Sequence, residues 1–229
     1  MVRRGQSLGK RFASFMESMQ LTGEGLREGG YITGRPGHQN FQLSVVPPVQ
    51  LGQLLGEMLS EDAFLSPHGL RALSRRHLEQ PFKLELGGLT ASVDYEPGES
   101  TSGLFGGNSN WRGPVWMPVN YLLIEALREY AAFFGDDLLA EYPTGSQKKV
   151  PLSAIADDLS LRLISLFVPD ENGHRPIYGA NEVLQQHPDW KDLIVFPEYF
   201  HGDNGAGLGA WHQTGWTALV VDLILTVRR

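Results

Sequence analysis

Cysteine is absent from this 229-residue chain, which excludes disulfides, thiolate nucleophiles and cysteine-ligated metals. An excess of basic charge is missing as well. Lysine and arginine number 19 against 26 aspartates and glutamates, for a net charge of -7. That balance argues against nucleic acid or an anionic membrane as the main partner. No apolar run is long enough to cross a bilayer, and the start, MVRRGQSLGKRFASFM, has basic residues without a secretory apolar core. The expectation is a soluble, cytoplasmic protein. The seven histidines show no His-Glu-x-x-His or paired-ligand spacing. The glycine run Gly205 to Gly209 lacks the Lys-Ser/Thr of a phosphate-binding loop, and no Gly-x-Ser-x-Gly motif occurs. Asp170 to Gly173 lacks the remaining ligands of a calcium loop. No metal and no cofactor are expected.

Strong strand patterns are also scarce. Helical spacing is not. Phe12, Phe15, Met16 and Met19 predict a short amphipathic helix. Leu51, Leu54, Leu55 and Met58 predict another, opening at Pro47-Pro48. Residues 111–134 carry the longest helical pattern, 151–167 a second and 212–227 the last. Residues 82–93, FKLELGGLTASV, read as a small hairpin around Gly87-Gly88. The fold class expected is therefore all-α, helices joined by long glycine-rich loops. At this length one domain or two small ones are expected, and 41% apolar residues suffice for a core.

Two loops concentrate chemistry. All five tryptophans fall after residue 110, at 111, 116, 190, 211 and 216. In GLFGGNSNWRGPVW, residues 103–116, Asn110 and Arg112 supply polar groups and Trp111 and Trp116 supply rings. In FPEYFHGDNGAGLGAWHQTGWT, residues 196–217, Glu198 precedes a glycine-dense loop, with Tyr199 and Trp216 nearby. Sugars offer hydroxyls to carboxylates and flat C–H faces to aromatic rings, so this composition suits a sugar site. The same residues also fit plainer roles. Glu198 could cap the next turn, and the first loop could pack on its own tryptophans.

Taken together the loops resemble a known family. GNSNWRGPVWMPVNYLLIEAL is similar to a Trp-Arg-Gly-Pro-Ile-Trp segment of glycoside hydrolase family 63. PEYF, the glycines and GWTALV resemble that family's second catalytic carboxylate segment, a pattern that family 37 trehalases share. FLSPHGLRALS and VDYEPGES also look like bacterial mannosyl-oligosaccharide glucosidase-like and mannosylglycerate hydrolase-like proteins. The likeness runs from about residue 51 to the end, and 1–45 form a poorly matched segment. The resemblance implies that 46–229 are the C-terminal part of an (α/α)6 toroid, and that hydrolysis inverts α-glucosidic or α-mannosidic bonds of oligosaccharides or glycosyl-glycerate.

By this likeness Glu198 matches the general base, and Asn110, Trp111, Arg112, Gly113, Trp116, Tyr199 and Trp216 match substrate-binding positions. The family's general acid is an aspartate in a Trp-rich segment that this sequence does not contain. The toroid also needs more helices than the roughly six legible here. The expectation is a truncated enzyme, completed by a missing N-terminal half as a separate chain. The alternative is a non-catalytic helical carbohydrate-binding or scaffolding module.

Overall fold

A computed structural model describes residues 10, 11, 14, 32–34, 41–103 and 111–227. Phe12, Phe15, Met16 and Met19, which predict the first helix, lie outside the described residues, as does Asn110. The chain divides into two compact units, Met1–Leu54 and Leu55–Arg229. In the first, β1 (Ile32–Gly34) pairs antiparallel with β2 (Phe41–Leu43). Helix α1 (Pro48–Met58) begins at the expected proline and runs into the second unit. Proline suits a first helical turn because its missing N–H would find no partner there.

The expected all-α class is wrong. Helix accounts for 38% and strand for 17%, and the described residues hold five two-stranded antiparallel sheets, which makes the fold mixed. In the second unit these are β3 (Leu65–Ser66) with β4 (Gly69–Leu70), β5 (Phe82–Leu86) with β6 (Leu89–Val93), β7 (Leu139–Glu141) with β8 (Lys149–Pro151), and β9 (Tyr199–Phe200) with β10 (Gly207–Leu208). Four of the five sheets contain only strands of two or three residues. Such strands are too short to print a period-two pattern, and this is why the sequence conceals them.

The β5–β6 hairpin turns at Gly87 (φ 58°) and Gly88 (φ 82°). A two-residue turn of this hand needs positive φ at both positions, which glycine adopts without strain. Phe82, Leu84 and Leu86 face Val93, Ala91 and Leu89 across the pair, so one face of the hairpin is apolar throughout. Phe82, Leu84, Leu86 and Leu89 of that face are exposed.

Three helices form the centre: α2 (Met117–Phe134), α3 (Leu152–Ser165) and α5 (Leu219–Val227), with the five-residue α4 (Glu182–Gln186) apart. Helix α3 buries Leu152, Ile155, Ala156, Leu159, Ser160 and Leu163, a stripe at the three- and four-residue spacing of one helix face. Helix α2 starts later than its periodicity suggests, because Val115 is held in backbone bridges to Arg71 and Phe200. Helix α5 starts at Leu219 and not at His212. Residues 213–217 form local turns that are tied by three donors to the segment 196–198. Gln213 N–H donates to the Phe196 carbonyl at 2.8 Å, and the buried Thr217 hydroxyl donates to the Pro197 carbonyl.

Candidate active site

The candidate site grows from a patch of backbone pairing that the sequence does not announce. Val115 exchanges both backbone hydrogen bonds with Phe200, at 2.8 and 2.9 Å. On its other side it bridges Arg71, and Ala72 N–H donates to the Pro114 carbonyl at 2.9 Å. Phe200 in turn pairs with Gly207. Three segments distant in sequence, around Arg71, Val115 and the hairpin of Phe200 and Gly207, thus lie side by side. In an antiparallel pair, the neighbours of a bridged couple also stand opposite each other. Trp116 therefore stands opposite Tyr199, and Glu198 opposite Gly209.

Side chains alternate across such a patch. Val115 and Phe200 point into the core and are fully buried. Trp116 and Tyr199 take the other face and stack with centroids 5.0 Å apart at 22°. Trp111 stacks on Trp116 at 4.7 Å and 5°, and Trp216 meets it edge-on at 5.8 Å and 75°. Trp116 and Tyr199 are buried beneath, whereas Trp111 is 55% exposed and Trp216 sits at the rim. The result is a floor of four rings with an exposed edge.

Glu198 borders that floor. Its Oε2 accepts from the Ala210 N–H at 3.1 Å, and its backbone carbonyl accepts from Trp216 Nε1–H at 3.1 Å. Gly209 opposite cannot carry a side chain. A Cβ there would lie 2.6 Å from Glu198 Oε2 and 2.7 Å from Tyr199 Cε1. The carboxylate and the tyrosine edge thus crowd the same point, and glycine makes room for both. Among the described residues no lysine or arginine pairs with Glu198. Burial, Glu99 and Glu198 push the Tyr199 hydroxyl up to about 12, so it remains a protonated donor.

The other sequence candidates lie behind this surface. Arg112 is 1% exposed, pairs with Glu96 at 2.9 Å and donates to the Ser100 and Ser102 hydroxyls at 2.6 and 3.3 Å. It organises the loop 96–102 from beneath. Burial raises the Glu96 pKa, but hydrogen bonds from Thr101 and the Arg112 charge outweigh it and hold the carboxyl below the usual value. Gly113 has φ 148°, and a Cβ there would strike the Tyr95 ring at 2.7 Å. The structure thus brings Glu198, Tyr199, Trp111, Trp116 and Trp216 together and sets Arg112 and Gly113 as supports.

Asp203 belongs to a different arrangement. It accepts from Arg71 at 3.0 Å and from the Tyr95 hydroxyl at 2.9 Å, while Arg71 Nε–H also donates to Tyr95 at 2.9 Å. Sequence reasoning missed Arg71 and Asn120. The Asn120 side chain accepts from Leu70 N–H at 2.7 Å and donates to the Leu70 and Trp116 carbonyls at 3.0 and 2.9 Å. It pins β4 to the start of α2. Fifty residues separate Leu70 from Asn120, so no local signal marked it.

Two cavities lie in this region, and rings of the floor line the first. One of about 220 Å³ is lined by Met58, Phe64, Leu70, Trp111, Trp116 and Leu123 among others. Its polar neighbours, Arg71 and Asn120, are already hydrogen-bonded, so it shows an apolar wall. The other, about 570 Å³, is mixed in character, lined by Asp94, Glu96, Glu99, Thr101 and His201 together with Tyr95, Pro97 and Leu208.

No family model matches the chain. It is 48% identical over 191 residues to the uncharacterized protein YMR196W of Saccharomyces cerevisiae, covering 82% of this chain and 18% of that protein. It is 26% identical over 198 residues to the mannosyl-oligosaccharide glucosidase of S. cerevisiae, and 24% over 201 residues to a probable mannosyl-oligosaccharide glucosidase of Schizosaccharomyces pombe. Those two matches cover 85% of this chain and 17% of each relative. The chain therefore spans less than a fifth of the length of the curated relatives it matches. The resemblance to glycosidases read from the motifs holds as a distant similarity to these two proteins. No helix among the described residues is long and apolar enough to cross a membrane.

Proposed function

We propose that this chain carries the base side of a glycoside hydrolase site of the family 63 type, acting on an α-glucosidic or α-mannosidic bond of an oligosaccharide or glycosyl-glycerate. The observation that carries this reading is the placement of Glu198: a carboxylate with no cationic partner among the described residues, at the border of a floor of four aromatic rings. The exposed rings, Trp111 and Trp216, would take the apolar face of a sugar, with Trp116 and Tyr199 stacked beneath. Glu198 would take a proton from the water that attacks the anomeric carbon, and inversion would follow from attack on the face opposite the leaving group.

The acid that protonates the leaving oxygen is assigned to polypeptide outside these residues. Two observations support this. Glu96 and Asp203 are each ion-paired with a buried arginine, which occupies them within the fold. The relatives are also several times longer than this chain.

The test exploits the leaving group. Fluoride departs without protonation, whereas a sugar alkoxide does not. The chain alone should hydrolyse α-D-glucosyl fluoride or α-D-mannosyl fluoride above background, and Glu198→Gln should remove that activity, since one general base contributes roughly 10²–10⁴-fold. Maltose should be left intact. Fluoride hydrolysis that persists unchanged in Glu198→Gln would remove Glu198 from the mechanism. Saccharide binding with no fluoride hydrolysis would instead favour a non-catalytic carbohydrate-binding module.

A further inference from the structure

We propose that Glu99 is a second sugar-binding carboxylate of this site and that the Tyr199 hydroxyl positions it. The proposal rests on the glycosidase reading above and adds a residue that the motif comparison does not supply. Tyr199 is 3% exposed, and its ring is fixed from one side by Trp116. The hydroxyl at its far end donates to Glu99 Oε2 at 3.3 Å. Glu198 crowds the edge of the same ring, beside the space where a Gly209 Cβ would sit. One buried tyrosine therefore stands between two carboxylates that come from chain segments a hundred residues apart.

What distinguishes Glu99 from the other acids of the region is its company. Glu96 and Asp203 are ion-paired with Arg112 and Arg71. Glu99 is exposed, and among the described residues no lysine or arginine pairs with it. A carboxylate that serves only to order a loop is expected to be spent on backbone donors or on a cation. Glu99 instead accepts one phenolic proton and, being exposed at the wall of the larger cavity, keeps acceptor capacity toward solvent. In that position it would accept hydroxyls of a sugar lying on the Trp111–Trp116 floor and fix the ring against Glu198. Two anionic groups about one ring also favour a ligand with positive charge where the glycosyl transition state develops it.

The probe is 1-deoxynojirimycin, a cationic sugar mimic, titrated into the full chain near pH 6.5 by calorimetry and tryptophan fluorescence, with maltose as the neutral comparison. Glu99→Gln should weaken deoxynojirimycin about tenfold or more, as expected for a charge-assisted hydrogen bond, and maltose less. Tyr199→Phe keeps the stack but releases Glu99, and should weaken binding a few-fold. The double variant should bind no worse than Glu99→Gln, because Tyr199 acts through Glu99. Thermal melts of all variants should match the parent within a few degrees, which keeps the comparison one of binding.

Wild-type affinity in Glu99→Gln alongside loss in Glu198→Gln would overturn the role of Glu99 and leave the glycosidase reading standing. Fully additive losses in the double variant would overturn the positioning role of Tyr199. Failure of the unaltered chain to bind either probe would overturn both readings.

Discussion

Glu198 and Asp203 flank the same two-residue strand, yet the fold treats them oppositely. Asp203 is clamped by a buried arginine and a tyrosine hydroxyl. Glu198 receives one backbone N–H on its carboxylate and has rings for neighbours. The difference arises from the partners each acid meets beyond the ends of the strand. Asp203 meets Arg71 and Tyr95. Glu198 meets the Ala210 N–H and lies beside the Tyr199 ring. A carboxylate held by a cation contributes to the fold. A carboxylate left without a cation keeps acceptor capacity for a ligand. By that criterion Arg112–Glu96 belongs with the clamp, and Glu99 with Glu198.

The comparison breaks most visibly if the clamp is not structural. Asp203→Ala leaves the Arg71 guanidinium, whose side chain is 5% exposed, without its counter-charge. Removing one partner of a fully buried pair costs about 3–5 kcal/mol, and the 38% exposure of Asp203 brings the expected cost here to about 1–3 kcal/mol. Urea unfolding should show a midpoint shift of that size with an unchanged slope. A loss near zero would place Asp203 with the free acids and undo the distinction.

How much of this was legible in advance varies with the length scale of the signal. Helices α2 and α3 show because their apolar stripes repeat over many turns. The tryptophans and Glu198 show because their types are rare and their chemistry is suggestive. The all-α reading failed where strands of two or three residues are made by partners far away, as in Arg71 to Val115 to Phe200. The glycine-dense loop was legible as close approach but not in its object. Gly202 has no room for a Cβ because the Gly113 carbonyl lies there, and Gly209 has none because Glu198 and Tyr199 do. At these two positions the backbone approaches other parts of the protein. Glu99 carried no local signal, since only the fold brings it to Tyr199.

Acid sharpens the comparison with a smaller effect. Burial lowers the His68 pKa, and the charges of Arg71 and Arg162 lower it further. A histidine whose folded-state pKa lies below its unfolded value of 6.5 binds protons more readily once the chain unfolds. Stability therefore falls as pH drops below 6.5, and continues to fall until the folded-state histidine also protonates. His201, lowered by burial, adds in the same direction. The Glu96 carboxyl, depressed in the folded state, stabilises fully above its unfolded value of 4.5 and loses that contribution as pH falls further. His68→Asn should flatten the upper part of this acid limb and leave the part below pH 4.5 in place. Urea midpoints at a series of pH values would read both. An unchanged slope below pH 6.5 in His68→Asn would separate His68 from the arginine clamp.

The smallest expected change is the most discriminating. Glu198→Gln keeps the shape, the backbone carbonyl that accepts from Trp216 Nε1–H, and an oxygen able to accept from Ala210 N–H. The lost charge has no cationic partner among the described residues, so no ion pair is broken. The neighbouring Tyr199 phenol also loses an anion that had been raising its pKa, which leaves it protonated at neutral pH all the same. Stability should therefore stay within about 0.5 kcal/mol of the parent, as for substitutions that break no buried pair. Set beside Asp203→Ala, this contrast is the direct measure of the difference between the two acids. A loss above about 2 kcal/mol in Glu198→Gln, a size reserved for broken buried networks, would mean that Glu198 is a structural acid like Asp203 and that the aromatic floor serves packing alone.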